Sequence, residues 1–360
     1  MKRLVHEAPI GRVTFIRQAV RPAAVLVVAL LCALTLCLVP PAADRRVVQA
    51  QDTPPQFLGS ITAGPDGNMW FIEAVEQRIG RITPNGHITS FSLPKREGGP
   101  GDLTNGPDGA LWFTTKHAVG RMTVDGRMTF LPLPSTMQPG VIVSGPDGAL
   151  WFSAATPGPA IVRLSTDGHI RIFPSLPAGS LAFGSDGALW FTNPNGQVIG
   201  RLTRAGQSTT FALPARIGRD AADLGSPISI TLGPDGALWF TEFDRFIGRI
   251  DRQEHITELP LPNLKCCIPF FITTGPDHAL WVTELYGNGV ERITPQGHVR
   301  QFDFRTRSSG PLGISAGPDG NLWVTATCSN RIVRVTPTGQ EAEFAVSARH
   351  GTGTYCFGFL

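Results

Sequence analysis

The chain has 360 residues, with 31 Lys and Arg against 28 Asp and Glu and a formal net charge of +3. Seven of those basic residues and two of the acidic ones fall in residues 1–50, which leaves 24 and 26 beyond them, net −2. The basic balance therefore belongs to the leader, and the body carries no basic patch of the kind that nucleic acid binding requires.

In the leader, Lys2, Arg3, Arg12, Arg17 and Arg21 precede an uncharged, apolar run of 17 residues, Ala23 to Val39, which Pro40-Pro41 ends. This is short for a spanning helix and slightly long for the core of a signal peptide. Two readings stay open. One is a secretion signal, with Val48-Gln49-Ala50 or Ala42-Ala43 as cleavage sites. The other is an uncleaved anchor through residues 23–39 with its basic side in the cytoplasm. Both place the rest of the chain outside the cytoplasm, as a secreted, periplasmic or cell-surface protein.

Beyond the leader one stretch organises everything. Gly-Pro-Asp-Gly-Ala-Leu-Trp-Phe-Thr-Glu, whole at Gly233 to Glu242, recurs seven times, marked by Trp70, Trp112, Trp151, Trp190, Trp239, Trp281 and Trp323, which are all the tryptophans. Their spacings are 42, 39, 39, 49, 42 and 42 residues. A period of about 40 to 45 residues is that of a β-propeller, one blade per repeat. The expected fold is all-β: a seven-bladed propeller of four-stranded antiparallel blades over residues 51–345, with a tail at 346–360. Phe357 and Phe359 of that tail alternate and could add a strand.

The first repeat predicts strands over Phe57–Ala63, Asn68–Glu73, Gln77–Thr83 and His87–Leu93. Gly64-Pro65-Asp66-Gly67 and Pro84-Asn85-Gly86 are the turns, because Pro pre-sets φ, Asp bonds its own backbone and Gly tolerates positive φ. The long interval between Trp190 and Trp239 places a surface loop at Ala215 to Leu224, and such loops often carry function.

Antiparallel strands sort the connections onto two faces. The loops between second and third strands, and the links between blades, share the face called the top here. Convergent chemistry must come from the starts of first strands or the ends of second strands around the channel. His87, His169, His255, His298 and His278 fall on the opposite face, and His350 is in the tail. His117 alone is at the top. Glu73, Glu242 and Glu284 each follow a Trp by three residues. Clustered carboxylates could hold Mg²⁺ or Ca²⁺; the plainer reading is that they cap neighbouring backbone groups in the repeat. The Asp of each Gly-Pro-Asp turn lacks the company a calcium loop needs, so it reads as a turn residue. Four cysteines follow the leader, Cys266, Cys267, Cys328 and Cys356, and outside the cytoplasm an even count points to disulfides. Cys328–Cys356 is the favoured pair.

The phrases Gly-Pro-Asp-Gly-Ala-Leu-Trp-Phe-Thr-Glu, Ile79-Gly80-Arg81-Ile82-Thr83-Pro84 and Ile256-Thr257-Glu258-Leu259-Pro260-Leu261-Pro262 resemble the virginiamycin B lyase (streptogramin B lyase) family, across all seven repeats. The resemblance implies a seven-bladed propeller and a carbon–oxygen lyase that opens streptogramin B antibiotics by Mg²⁺-dependent elimination. It also implies a top-face set of Pro-His-x-Ile opening blade six, Glu-Pro-His-Gly-Ile opening blade seven, and a second Glu soon after the blade-seven Trp. Here blade six reads Pro269-Phe270-Phe271-Ile272, and blade seven reads Gly310-Pro311-Leu312-Gly313-Ile314. Val324-Thr325-Ala326-Thr327 follows Trp323. Phe270 and Leu312 thus stand where the histidines would be, Gly310 where the first Glu would be, and Thr327 near the second.

The expectation is a lyase-like propeller without the family's catalytic set: a monomeric, extracytoplasmic binding protein. Phe270, Phe271, Leu312 and Thr327 are its candidate top-face contacts for a small molecule, glycan or protein. An exposed apolar patch there would favour binding. One alternative is an active Mg²⁺-dependent lyase with a site rebuilt from Glu242, Glu284 and His117. Another is a structural interaction domain of the cell envelope.

Overall fold

Each repeat forms its own antiparallel sheet of four consecutive strands, and seven such sheets stand around one axis. The computed structural model describes residues 57–155, 157–214, 225–261 and 268–346. The leader with its apolar run, the body of the long loop and the tail lie outside these. Among the described residues no helix is long and apolar enough to cross a membrane.

In the first blade the strands are Leu58–Ala63, Met69–Glu73, Arg78–Ile82 and Ile88–Ser92. The first strand of every blade packs beside the first strand of the next, round to Pro311–Ala316 against Leu58–Ala63. First strands therefore line the axis, and fourth strands form the rim. The second strands are almost wholly buried, as in Leu238–Glu242 and Leu322–Ala326.

Every seam between blades has its own apolar cluster. Trp70 packs with Leu103, Leu111 and Phe113 of blade two. Trp239 packs with Ile272, Leu280 and Val282 of blade six, and Trp323 with Leu58, Met69 and Phe71 of blade one. Every Trp is at most 5% exposed, so each removes about 150–250 Å² from water, worth about 4–6 kcal/mol before entropy is counted.

The Gly-Pro-Asp turn does more than reverse the chain. In all seven blades its Asp Oδ1 accepts from the indole Nε1 of the Trp four residues on, at 2.8 to 3.2 Å. In five of them its Oδ2 also accepts from an Arg on the third strand, as from Arg249 Nε to Asp235 at 2.8 Å. The Trp is thereby fixed in rotation while its ring fills the seam. Burial pushes Asp235 up, but hydrogen bonds from Trp239 and Arg249 outweigh it and hold the carboxyl below its ordinary value. The turn geometry is strict enough that His278, in place of the usual Gly, still adopts φ +57°.

The ring closes without strand exchange among the described residues, since the first and last blades are each built from consecutive strands. Closure uses a staple found at other seams. Thr241 Oγ1 donates to the Phe270 carbonyl at 2.7 Å and Thr283 Oγ1 to the Leu312 carbonyl at 2.9 Å. At the closing seam Thr325 Oγ1 donates to the Gly59 carbonyl at 2.8 Å, and Thr327 Oγ1 to the Leu58 carbonyl at 2.7 Å.

Candidate functional site

The top of the channel between blades five and one gathers most of the residues singled out above. Strands Ile268–Thr274 and Pro311–Ala316 begin there, each with a break in register that turns its first residues. Phe270 and Leu312 sit in these openings and are 8% and 5% exposed. With Leu285 they form an apolar cluster, flanked by half-buried Phe57, Ile228, Ile268, Phe271 and Tyr286. The Phe270 and Phe271 rings meet edge to face, with centroids 5.0 Å apart. Phe270 and Leu312 are therefore packed side chains rather than an exposed patch. Phe271 keeps partial access.

Gly310 precedes this cluster in blade seven with φ +56°, and a Cβ on it would overlap the Cys328 sulfur. Cys328 is disulfide-bonded. Its expected partner, Cys356, lies outside the described residues. The Cys328 amide donates to the Ser309 carbonyl at 3.0 Å, and Thr327 donates to Gly310 in the same way at 3.0 Å. Thr327 is 2% exposed, and its hydroxyl is committed to Leu58 across the closing seam.

Two of the three carboxylates that end second strands, Glu73 and Glu284, reach toward the rim. Glu73 accepts from Arg78 at 2.7 Å and from Ser90, on the outermost strand, at 2.5 Å. Glu284 Oε2 accepts from Gln301, also on an outermost strand, at 3.4 Å. Glu242 is as buried as Glu284, at 1% exposure, and its Oε2 lies against Gly225. His117 is exposed at the hairpin tip of blade two, with its carbonyl accepting from Leu133 at 3.1 Å. Glu242, Glu284 and His117 thus belong to blades five, six and two and are not brought together. Among the described residues no group of three or more His, Cys, Asp or Glu is placed to hold a metal ion.

One buried acid was missed by the reading of the sequence. Glu291, on the third strand of blade six, is fully buried, and neither carboxylate oxygen has a hydrogen-bond partner. It stands where blades one, two, four and five carry Gly80, Gly120, Gly200 and Gly248. Aligning the repeats on the Arg that follows, Arg292 here, would have exposed it.

Comparison with known proteins agrees with this architecture. The Virginiamycin B lyase family matches residues 42–222 and 178–354. Virginiamycin B lyase from Staphylococcus aureus is 32% identical, with a TM-score of 0.67 over 76% of this chain and 92% of its own. A streptogramin B lyase is 31% identical, with the same TM-score and coverage. A catalytically inactive histidine-to-alanine variant of the S. aureus enzyme, with quinupristin, is 33% identical, with a TM-score of 0.66 over 76% and 93%. No curated protein sequence matches significantly.

Proposed function

The chain belongs to the virginiamycin B lyase family, and from that premise we propose that it is an extracytoplasmic binding protein that keeps the family's propeller without its elimination chemistry. The observation that carries this reading is the packing of Gly310 on Cys328. The position at which the resemblance implies a glutamate has neither a side chain nor room for one. Phe270 and Leu312, where histidines are implied, offer no proton acceptor and are buried in one apolar cluster. A relative whose histidine is replaced by alanine is catalytically inactive, and a positioned acid or base is typically worth about 10²–10⁴-fold.

The implied Mg²⁺ does not fit these residues. Two of the four positions are hydrocarbon, one is glycine, and the hydroxyl of Thr327 already donates to Leu58. What remains open to a ligand is half-buried Phe271 and Tyr286 beside the cluster, a surface for the apolar part of a small molecule, a glycan or a peptide. The disulfide at Cys328 suits an oxidising compartment, in keeping with the basic and apolar leader. Quinupristin is a fitting probe. In equilibrium dialysis without Mg²⁺, saturable binding to the full chain that weakens in Phe271→Ala supports a top-face binding protein. Binding unaffected by Phe271→Ala removes that face from the reading.

A second reading, an active lyase, is favoured by the 31–33% identity to such enzymes over three quarters of the chain. It requires a base outside the positions the resemblance supplies, and turnover of a streptogramin B decides it.

A further inference from the structure

Glu291 has a chemistry that opposes its surroundings. In blades one, two, four and five the second-strand Phe lies directly over a third-strand Gly, so closely that a Cβ would overlap the ring. Blade six has Val282 in place of that Phe, paired with Glu291, so the missing ring leaves room for a longer side chain. Blade seven makes the same exchange with Val324 and Val333, which is apolar throughout. Val282 packs with Trp239 and Ile247 of blade five. Residues paired across an antiparallel ladder share a face, so Glu291 also faces blade five, into a cluster that includes Leu261, Leu280 and Ile293.

Among the described residues no compensating charge reaches it. On its own blade, Glu284 and Asp303 share the face, both bonded to Gln301, which pairs with Glu291 in the ladder. From blade five, Arg249 shares the face of Trp239, but its Nε is held by Asp235 at 2.8 Å. Arg245 is at the exposed hairpin tip. None of these bonds to Glu291, whose two oxygens have no partner. Lys265, in the link between the blades, lies outside the described residues. An ionised carboxylate buried among hydrocarbon without a partner is costly, and the neutral acid is the form such a site accepts.

We propose that Glu291 makes the seam between blades five and six a pH-sensitive joint, closed while its carboxyl is neutral and loosened once the proton leaves. Burial lifts that carboxyl from 4.5 to about 7. The sign follows from linkage. The unfolded chain releases this proton near 4.5 and the folded chain only near 7, so the destabilisation grows between those values and is complete above them. The seam therefore loosens across neutrality.

The test uses the full chain, unfolded in urea at about pH 5 and about pH 8 and followed by tryptophan fluorescence. Relative to Glu291→Gln, the wild-type unfolding equilibrium shifts toward unfolding by on the order of a hundredfold between the two. Parallel profiles for wild type and variant would overturn the proposal. Should Gln fail to fold, Glu291→Val, which copies Val333 of blade seven, takes its place. Hydrogen exchange in the wild type alone, corrected for its intrinsic pH dependence, tests the location. Amides of Ile247 and Val282 gain exchange with rising pH while those of blades two and three do not. Uniform gain around the ring, or none, contradicts a joint at this seam.

Discussion

Gly310 and Cys328 lie so close that a single added methyl on the glycine would meet the sulfur, and the glycine's φ of +56° is itself one that other residues rarely adopt. Two neighbours in space thus fix the chemistry of the blade-seven opening. A disulfide-bonded sulfur fills the volume beside the strand and leaves no room for a Cβ at Gly310, whose positive φ adds strain for any other residue. The next residues then form a hydrophobic opening, with Leu312 against Phe270. The top face is locally consistent as a packed surface, not as a catalytic centre with one part missing.

Placing an acid back at that opening is therefore costly. Gly310→Glu combines backbone strain of about 1–3 kcal/mol with the overlap on Cys328. A lowered thermal midpoint is expected, whereas Thr209→Glu, at an exposed position on the outermost strand of blade four, leaves the midpoint where it was. An unchanged midpoint in Gly310→Glu would show that the site relaxes readily and that the glycine is no obstacle.

Acid should dismantle the ring by a route separate from Glu291. The turn aspartates Asp66, Asp108, Asp147, Asp186, Asp235, Asp277 and Asp319 are all held below 3.8. Burial raises each, and bonds from Trp, from an Arg or Asn side chain and from the backbone outweigh it. For a depressed carboxyl the stabilisation is fully present above the unfolded value and is lost as pH falls through the folded one. Stability measured by urea titration should hold down to about pH 4 and then fall steeply with proton uptake by several groups. A flat profile there would separate the Asp–Trp bonds from stability.

Ring closure should cost no more to break than any other seam. Thr325→Val strands the Gly59 carbonyl and the Gly313 amide, and Thr283→Val strands the Leu312 carbonyl and the Phe271 amide. Each is expected to lose about 1–3 kcal/mol. A much larger loss in Thr325→Val, read from urea midpoints, would show that the seam between blades seven and one limits the whole ring.

Much of this fold was legible because turn chemistry repeats. The strands expected in the first blade overrun the observed ones by a residue at most ends. Gln77, for instance, takes φ +52° and belongs to the turn, yet its carbonyl still accepts from Leu93 and extends the pairing. The role of the turn Asp as acceptor for the Trp was missed, although the fixed four-residue interval is visible in every repeat. Its side chain satisfies the turn and the indole together, and local reading finds only the turn. The plainer reading of Glu73 as a cap for backbone groups is corrected, since the side chains of Arg78 and Ser90 hold it, the latter from the outermost strand. That Phe270 and Leu312 would bury each other was not legible, because it depends on how two strand openings from different blades approach. The same holds for Glu291, whose burial comes from blade five.

The most direct measurement is turnover of a streptogramin B. The full chain is incubated with quinupristin, with and without Mg²⁺, beside the S. aureus lyase, and the products are separated chromatographically, since elimination opens the ring without a change of mass. The packed top face predicts no isomeric product under conditions in which the S. aureus enzyme converts its substrate. A Mg²⁺-dependent isomeric product would contradict it and would require a base at a position other than Phe270 and Leu312.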